Sequence, residues 1–183
     1  NHIGMPLIEG LTFVHNTLRG AGLRHDIKIG AAGKIVSAFD VARALALGAD
    51  WCNAARGFMF AIGCIQAQAC HTNHCPVGVA TQDPLRARAL DVPSKAERVA
   101  RFHRNTMKAL GEMTGSAGLS HPGRFMPQHF MVRLGDGEMV EGSDAYPYLP
   151  DGFLFSNDAE VGSDYRKRWA RADARSFAPP QPL

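Results

Sequence analysis

The sequence predicts an α/β fold with a parallel sheet. Three observations carry this: apolar residues at helical spacing open the chain, two short apolar runs follow that each lead into a further helical pattern, and the connections between them are short. Leu7, Leu11, Val14 and Leu18 mark the first helix, entered at Pro6 and left at Gly20 and Gly22. Ile27 to Gly33 reads as a short strand running into a glycine-bearing turn. Ser37 to Leu47 is a second helix with Val41, Ala44, Leu45 and Leu47 on its apolar side and Gly48 as its exit. Ala49 to Ala55 is a second strand, and Arg56-Gly57 open a third helix.

The pattern then changes. Residues 63–82 form a cysteine-bearing loop, and Val79 to Val92 is a polar connection. Ser94 and Glu97 have the spacing of a capping box ahead of a long helix over Lys95 to Thr114, with Val99, Phe102, Met107, Leu110 and Met113 apolar. Glycine and proline become frequent from Gly115. Short strands are expected near Phe130–Leu134 and Met139–Val140, and the tail Ala178-Pro179-Pro180-Gln181-Pro182 is expected to be disordered. No repeat occurs beyond the two strand–helix units.

The chain has 183 residues and a formal net charge of +3, enough for one domain with a real core. Its first residue is not methionine, and the opening reads as the interior of a longer sequence, so a fragment or a processed piece is expected. The basic cluster Arg166-Lys167-Arg168, with Arg171 and Arg175, is expected to be a solvated helix face. Nothing points to nucleic acid. The longest apolar run, Phe58 to Ile65, is too short to span a bilayer, so no membrane is expected. Nothing resembles a signal peptide, and the four cysteines are too few for a disulfide scaffold; the expected location is cytoplasmic.

Three of those cysteines, Cys64, Cys70 and Cys75, are spaced C-x5-C-x4-C and end in Cys75-Pro76. Thiolate is a soft ligand, suited to zinc or to iron–sulfur clusters. The C-x2-C spacing of zinc ribbons is absent, and a loop closed by Cys-Pro fits an iron–sulfur cluster better. Zinc held with His71 or His74, buried cysteines acting as small apolar side chains, and a disulfide are the other readings. The polar stretch His71-Thr72-Asn73-His74 argues against plain core packing. Cys52, on the second strand, reads as a core residue rather than a fourth ligand.

Two loops suggest a phosphate. Ala32-Gly33-Lys34 follows the first strand, and Asn53-Ala54-Ala55-Arg56-Gly57 follows the second. Glycine lets a backbone approach an anion closely, and N–H groups at a helix start can bind it. In a (β/α)8 barrel the loops after the last two strands commonly hold a phosphate. Either loop alone is explained by a turn with surface charges; two in consecutive units, just ahead of a cysteine cluster, point to a site.

The runs Gly48-Ala49-Asp50 through Arg56-Gly57-Phe58, Ala61-Ile62-Gly63-Cys64, Cys70-His71-Thr72-Asn73 and Cys75-Pro76-Val77-Gly78-Val79-Ala80-Thr81-Gln82 together resemble the FMN-binding glutamate synthase family. The resemblance covers residues 1 to about 120, includes the helix from Ala96 to Thr106, and weakens beyond it. It implies that residues 1–120 are the carboxyl-terminal portion of a (β/α)8 barrel, its last two βα units, and that residues 121–183 are an extension. It implies FMN and a 3Fe-4S cluster, with Cys64, Cys70 and Cys75 as ligands. Gly33 and Lys34 match the phosphate loop after the seventh strand, and Ala54, Ala55 and Arg56 the loop after the eighth. Ala32-Gly33-Lys34 stands where full-length synthases typically read Asp-Gly-Gly.

The implied activity is reductive amination of 2-oxoglutarate to L-glutamate, with glutamine or ammonia as nitrogen source. Electrons would come from a donor such as ferredoxin or an NADPH-dependent subunit, and the remaining barrel portion would be needed as a partner. The rivals are an FMN-dependent oxidoreductase of the same family with a different substrate and a non-catalytic iron–sulfur or zinc-binding module. No catalytic acid or base is assigned within these residues, and a fragment of this extent is expected to be inactive alone.

Overall fold

The computed structural model describes residues 4–176. The chain divides into two compact units. One takes in Asn1–Ile29, Leu47–Asp50 and Met126–Leu183; the other takes in Gly30–Ala46 and Trp51–Phe125. Among the described residues there are two two-stranded sheets, one in each unit, and no closed barrel. The expected tail at 178–182 lies outside the described residues.

The second unit contains the predicted strand–helix–strand element. Strands β1 (Gly30–Ala32) and β2 (Trp51–Asn53) pair in parallel, with Gly30 opposite Trp51 and Ala32 opposite Asn53. The intervening helix α2 (Ala38–Ala46) buries Ala38, Ala42, Ala44 and Ala46, small side chains that let it lie close to its neighbours. It packs against the long helix α5 (Val92–Ser116), as does the short helix α3 (Ala55–Ala61). Gly57 on α3 is required by that packing: a Cβ there would meet the Phe102 ring at 2.9 Å. Phe58 and Phe102 meet edge-on, with centroids 5.2 Å apart.

Three expectations are corrected here. The first strand is confined to Gly30–Ala32, the last part of the stretch Ile27 to Gly33, so Ala32 of the expected exit loop is the end of the strand itself. Trp51 fixes that position, because its indole lies within 2.6 Å of where any Cβ on Gly30 would sit. The long helix starts at Val92 rather than Lys95. Asp91 is its cap, accepting from the Ser94 N–H at 3.1 Å, and Pro93 fits in the first turn, where its missing N–H costs nothing. Glu97 instead pairs with Arg101 on the helix surface. Within the presumed loose connection, Asp83 caps a further short helix, α4 (Pro84–Ala87), by accepting from Leu85 N–H at 2.9 Å.

The first unit is built on helix α1 (Leu7–Gly20). Its buried positions are Leu11, Thr12, His15, Asn16 and Gly20, so the buried face is largely polar, while Val14 of the predicted apolar stripe is 45% exposed. Residues of the chain's last third account for this. Asn16 donates to the Pro147 carbonyl and the Tyr165 hydroxyl and accepts from the Leu149 N–H, which satisfies its buried amide. Arg19 pairs with Asp151 at 2.8 Å, and Phe153 and Leu154 press against Gly20.

Strands β3 (Met131–Arg133) and β4 (Met139–Glu141) form an antiparallel hairpin, as the two expected short strands required, followed by α6 (Gly142–Ala145). On the last helix, α7 (Ser163–Ala170), Lys167 is solvated as expected but Arg166 is not. Its guanidinium donates to the carbonyls of Leu154, Ser156, Asp158 and Val161, and also to that of Phe153, holding the segment in place.

Candidate functional site

Every residue singled out for cofactor contact lies in the second unit, on the loops that follow β1 and β2. Because the strands are parallel, both loops leave the sheet from the same end. Gly33 has φ +140° and Lys34 φ +55°, so the first loop turns through two left-handed residues, and both are exposed. The two loops differ in their free donors. At the start of α2, Asp40 accepts from the Ser37 N–H at 2.9 Å and the Val36 N–H at 3.2 Å, and the Ser37 hydroxyl accepts from the Asp40 N–H. This reciprocal cap occupies the amides nearest Lys34. At the start of α3 the cap position is Ala54, which has no side chain to offer, and Ala55 and Arg56 are exposed in the first turn. The second loop therefore presents helix-terminal N–H groups and a guanidinium without an internal acceptor from the capping side chain.

The cysteine loop leaves α3 at Gly63 (φ +106°). That glycine makes room for Lys95, whose Nζ lies 3.2 Å from where a Cβ would sit, and for Arg98 at 3.9 Å. Two cations of α5 thus stand beside Gly63, the residue before Cys64, a contribution the sequence pattern did not reveal. Cys64 is half-buried, Cys70 exposed and Cys75 buried at 7% exposure. The Gly78 N–H donates to the Cys75 carbonyl at 3.3 Å, closing a turn. Main-chain N–H groups, of Ala80 and Val77 above all, lower the Cys75 thiol from its usual value. Gly78 (φ +77°) is required in this turn, because a Cβ there would lie 2.4 Å from the Arg86 carbonyl of α4.

Side-chain bonds tie residues 73–86 together around Cys75. Asn73 Oδ1 accepts from the Gln82 N–H at 2.6 Å, and the Thr81 hydroxyl donates to the Asn73 carbonyl at 2.7 Å. Thr81 Oγ1 accepts in turn from the Asp83 N–H at 3.1 Å. Arg86 pairs with Asp83 at 3.3 Å and reaches the His74 carbonyl. The His71 and His74 side chains are exposed. Cys52 sits half-buried on β2, and burial pushes its thiol up, as suits a core residue.

Among the described residues no three His, Cys, Asp or Glu side chains are gathered closely enough to hold a metal ion. Cys64, Cys70 and Cys75 share a loop without being drawn into one ligand set. The donor chemistry nonetheless fits a thiolate-bound group, since thiolate is a soft ligand and nearby main-chain N–H groups lower the Cys75 thiol. Backbone strain points to the same loops. Among the described residues the non-glycine residues with positive φ are Lys34, Gln66, Gln68 and Asn73, and all four lie in the glycine loop or the cysteine loop.

Residues 1–120 match the family described as a conserved region in glutamate synthase. The chain is 42% identical over 138 residues to the glutamate synthase large subunit-like protein YerD of Bacillus subtilis, covering 75% of this chain and 26% of that protein. It is 37% identical over 120 residues to the archaeal glutamate synthase (NADPH) of Methanocaldococcus jannaschii, covering 66% of this chain and 24% of that enzyme. It is 46% identical over 93 residues to the ferredoxin-dependent glutamate synthase 1 of Arabidopsis thaliana, covering 50% of this chain and 6% of that enzyme. The chain thus spans about a quarter of the length of the first two relatives, and far less of the third. Among the described residues no helix is long and apolar enough to cross a membrane.

Proposed function

The chain belongs to the glutamate synthase family, and from that premise we propose that it forms the carboxyl-terminal part of the FMN and iron–sulfur synthase domain of a glutamate synthase-type oxidoreductase. On this reading residues 1–120 end the barrel, with β1 and β2 as its last two strands and 63–82 as the cluster loop, and residues 121–183 are an extension. The reaction is reductive amination of 2-oxoglutarate to L-glutamate, with nitrogen from glutamine or ammonia. The electron donor is a ferredoxin or an NADPH-dependent partner, the two donor types in the names of the relatives.

The observation that carries this reading is the coincidence of three features in one unit: two loops leaving the same end of a parallel pair, a cysteine loop after them, and left-handed backbone at non-glycine residues that, among the described residues, falls in those loops alone. Gly33, Lys34, Ala54, Ala55 and Arg56 would hold the FMN phosphate. The α3 amides and Arg56 are the better-placed donors, because Asp40 already occupies the α2 terminus. Cys64, Cys70 and Cys75 would hold the cluster, with Lys95 and Arg98 offsetting thiolate charge near Cys64. When bound, the cluster supplies single electrons and FMN supplies hydride chemistry. The residues themselves bind, orient and balance charge.

The test is anaerobic reconstitution of the full-length protein. About three iron per chain are expected if the three cysteines are the protein ligands, and Cys70→Ser should abolish the brown chromophore. Stoichiometric zinc with no iron would overturn the cluster assignment and favour a zinc-binding module. A second reading, the same cofactors with another substrate, is favoured by the Ala32-Gly33-Lys34 loop and by a relative whose name reads only "large subunit-like". Turnover with 2-oxoglutarate and glutamine or ammonia separates the two.

A further inference from the structure

The first unit contains a groove of about 260 Å³ that the cofactor reading does not use. It is lined by Glu9, Thr12 and Asn16 of α1, by Tyr146 and Leu149 just after α6, and by Tyr165 of α7, and its surface is largely apolar. The hydrogen bonds show which of its polar groups are spent. Asn16 donates to the Pro147 carbonyl and the Tyr165 hydroxyl and accepts from the Leu149 N–H, so its amide is fully committed to holding the walls together. The Tyr165 ring is fixed as well: Phe13 stacks on it with centroids 5.1 Å apart, and Phe153 meets it edge-on at 5.7 Å. The buried Thr12 hydroxyl donates to the Ile8 carbonyl at 3.0 Å, which leaves its oxygen able to accept. The Glu9 carboxylate is exposed at the groove and pairs with no cation among the described residues.

A concave, largely apolar surface with two aromatic rings, one unpaired carboxylate and one spare acceptor selects its ligand by charge and by shape. An anion is repelled by Glu9. A small inorganic cation gains nothing from the apolar walls and keeps its water. A protonated alkylamine satisfies every feature: its ammonium has three N–H donors and no acceptor, and its hydrocarbon can cover the walls. A cation also gains from the face of an aromatic ring. We propose that this groove is a binding site for a small organic ammonium. Glu9 takes the charge, Thr12 Oγ1 accepts a further N–H bond, and Tyr146, Leu149 and Tyr165 enclose the alkyl part. The site is independent of the FMN and cluster assignments, since none of its residues belongs to those loops.

The probe is n-butylammonium chloride, titrated into the full-length protein and followed by saturation-transfer NMR on the ligand. Binding in the range of about 1 mM is expected for one charge contact and a short alkyl chain. n-Butanol has the same chain without the charge and should bind about tenfold more weakly. Glu9→Gln keeps the shape and removes the charge, and should weaken n-butylammonium about tenfold while leaving n-butanol unchanged. Because Glu9 is exposed, this variant should fold as wild type does, which far-ultraviolet circular dichroism checks. Tyr146→Leu keeps an apolar wall and removes a ring face, and should cost about two- to fivefold. Equal affinity for n-butylammonium in Glu9→Gln and wild type would overturn the proposal. So would equal binding of amine and alcohol, or no saturation transfer to n-butylammonium at about 10 mM.

Discussion

Arg24 donates from Nε to Nδ1 of the buried His15 at 3.1 Å. The contact fixes the imidazole as the neutral form with its proton on Nε2, an atom with no hydrogen-bond partner among the described residues. His15 also stacks on Tyr148 at 4.1 Å, while Arg24 continues to the Gly48 carbonyl and to Asp50 at 2.9 Å each. One guanidinium therefore holds an imidazole on α1, the turn at Gly48 and the carboxylate of Asp50.

The first prediction concerns acid. Burial, then the charges of Arg24 and Arg19, lower the His15 pKa from 6.5 to about 4, against weaker opposing effects from Gly48 and Asp151. A lowered folded-state value means the unfolded state takes up its proton first. The stability from neutral His15 is thus complete above pH 6.5 and lost as pH falls toward 4, to a limit of about 3 kcal/mol. Amide protection factors across α1 should fall between pH 7 and pH 5 in the wild-type protein and change less in His15→Gln. A flat wild-type profile would show that the imidazole is not held neutral.

The second prediction tests the turn against the same ring. Gly48 has φ +107°, and a Cβ there would lie 2.2 Å from His15 Nδ1. Gly48→Ala adds a steric clash to an unfavourable backbone conformation and should cost about 3 kcal/mol. Local protection of α1 measures it. Relief in the double substitution Gly48→Ala with His15→Ala would identify the ring as the cause.

The third prediction concerns the phosphate. Arg56→Ala in the full-length protein should weaken FMN binding by on the order of tenfold to a hundredfold, the loss of one charge-assisted contact. Lys34→Ala should weaken it less, because the amides beside it are already capped by Asp40. Flavin fluorescence titration reads both. Unchanged affinity in the double mutant would move the phosphate elsewhere.

The fourth prediction concerns residues 1–183 in isolation. In the second unit Trp51 and Phe39 are each 48% exposed, Ile65 63%, and Leu85 and Val92 each 72%. A parallel pair of three-residue strands leaves edges that ordinarily need cover. The isolated piece should aggregate or melt without cooperativity and bind FMN weakly, and addition of the upstream barrel should reverse both. A sharp melt with micromolar FMN affinity from the piece alone would show that it is a complete domain.

Much of this was legible in sequence because it depends on local pattern. Helical periodicity marked α1, α2 and α5, two short runs marked the strands β3 and β4 though not their pairing, and the alternation of strands and helices announced the parallel pair. The cysteine spacing and the two small-residue loops marked the candidate site before any geometry was known. The long helix was misplaced at its start because two capping signals compete there. Ser94 with Glu97 matches a familiar box, but Asp91 followed by a first-turn proline lies upstream and adds a turn of helix.

By itself the sequence determined the alternation of α1, β1, α2, β2 and α3 and the long helix α5, and it marked the residues of the candidate site, since spacing and side-chain type encode those. Tertiary structure decided the rest. Asn16 became part of the buried face of α1 because Pro147, Leu149 and Tyr165, more than a hundred residues away, supply the partners a buried polar group requires, while Tyr148 stacks on His15 and Thr12 bonds to the Ile8 carbonyl of its own helix. Position 30 is glycine because the Trp51 indole leaves space for no larger residue. The bond from the Gln82 N–H to Asn73 Oδ1 arises from backbone turning back on itself, and residue spacing carries no record of that geometry.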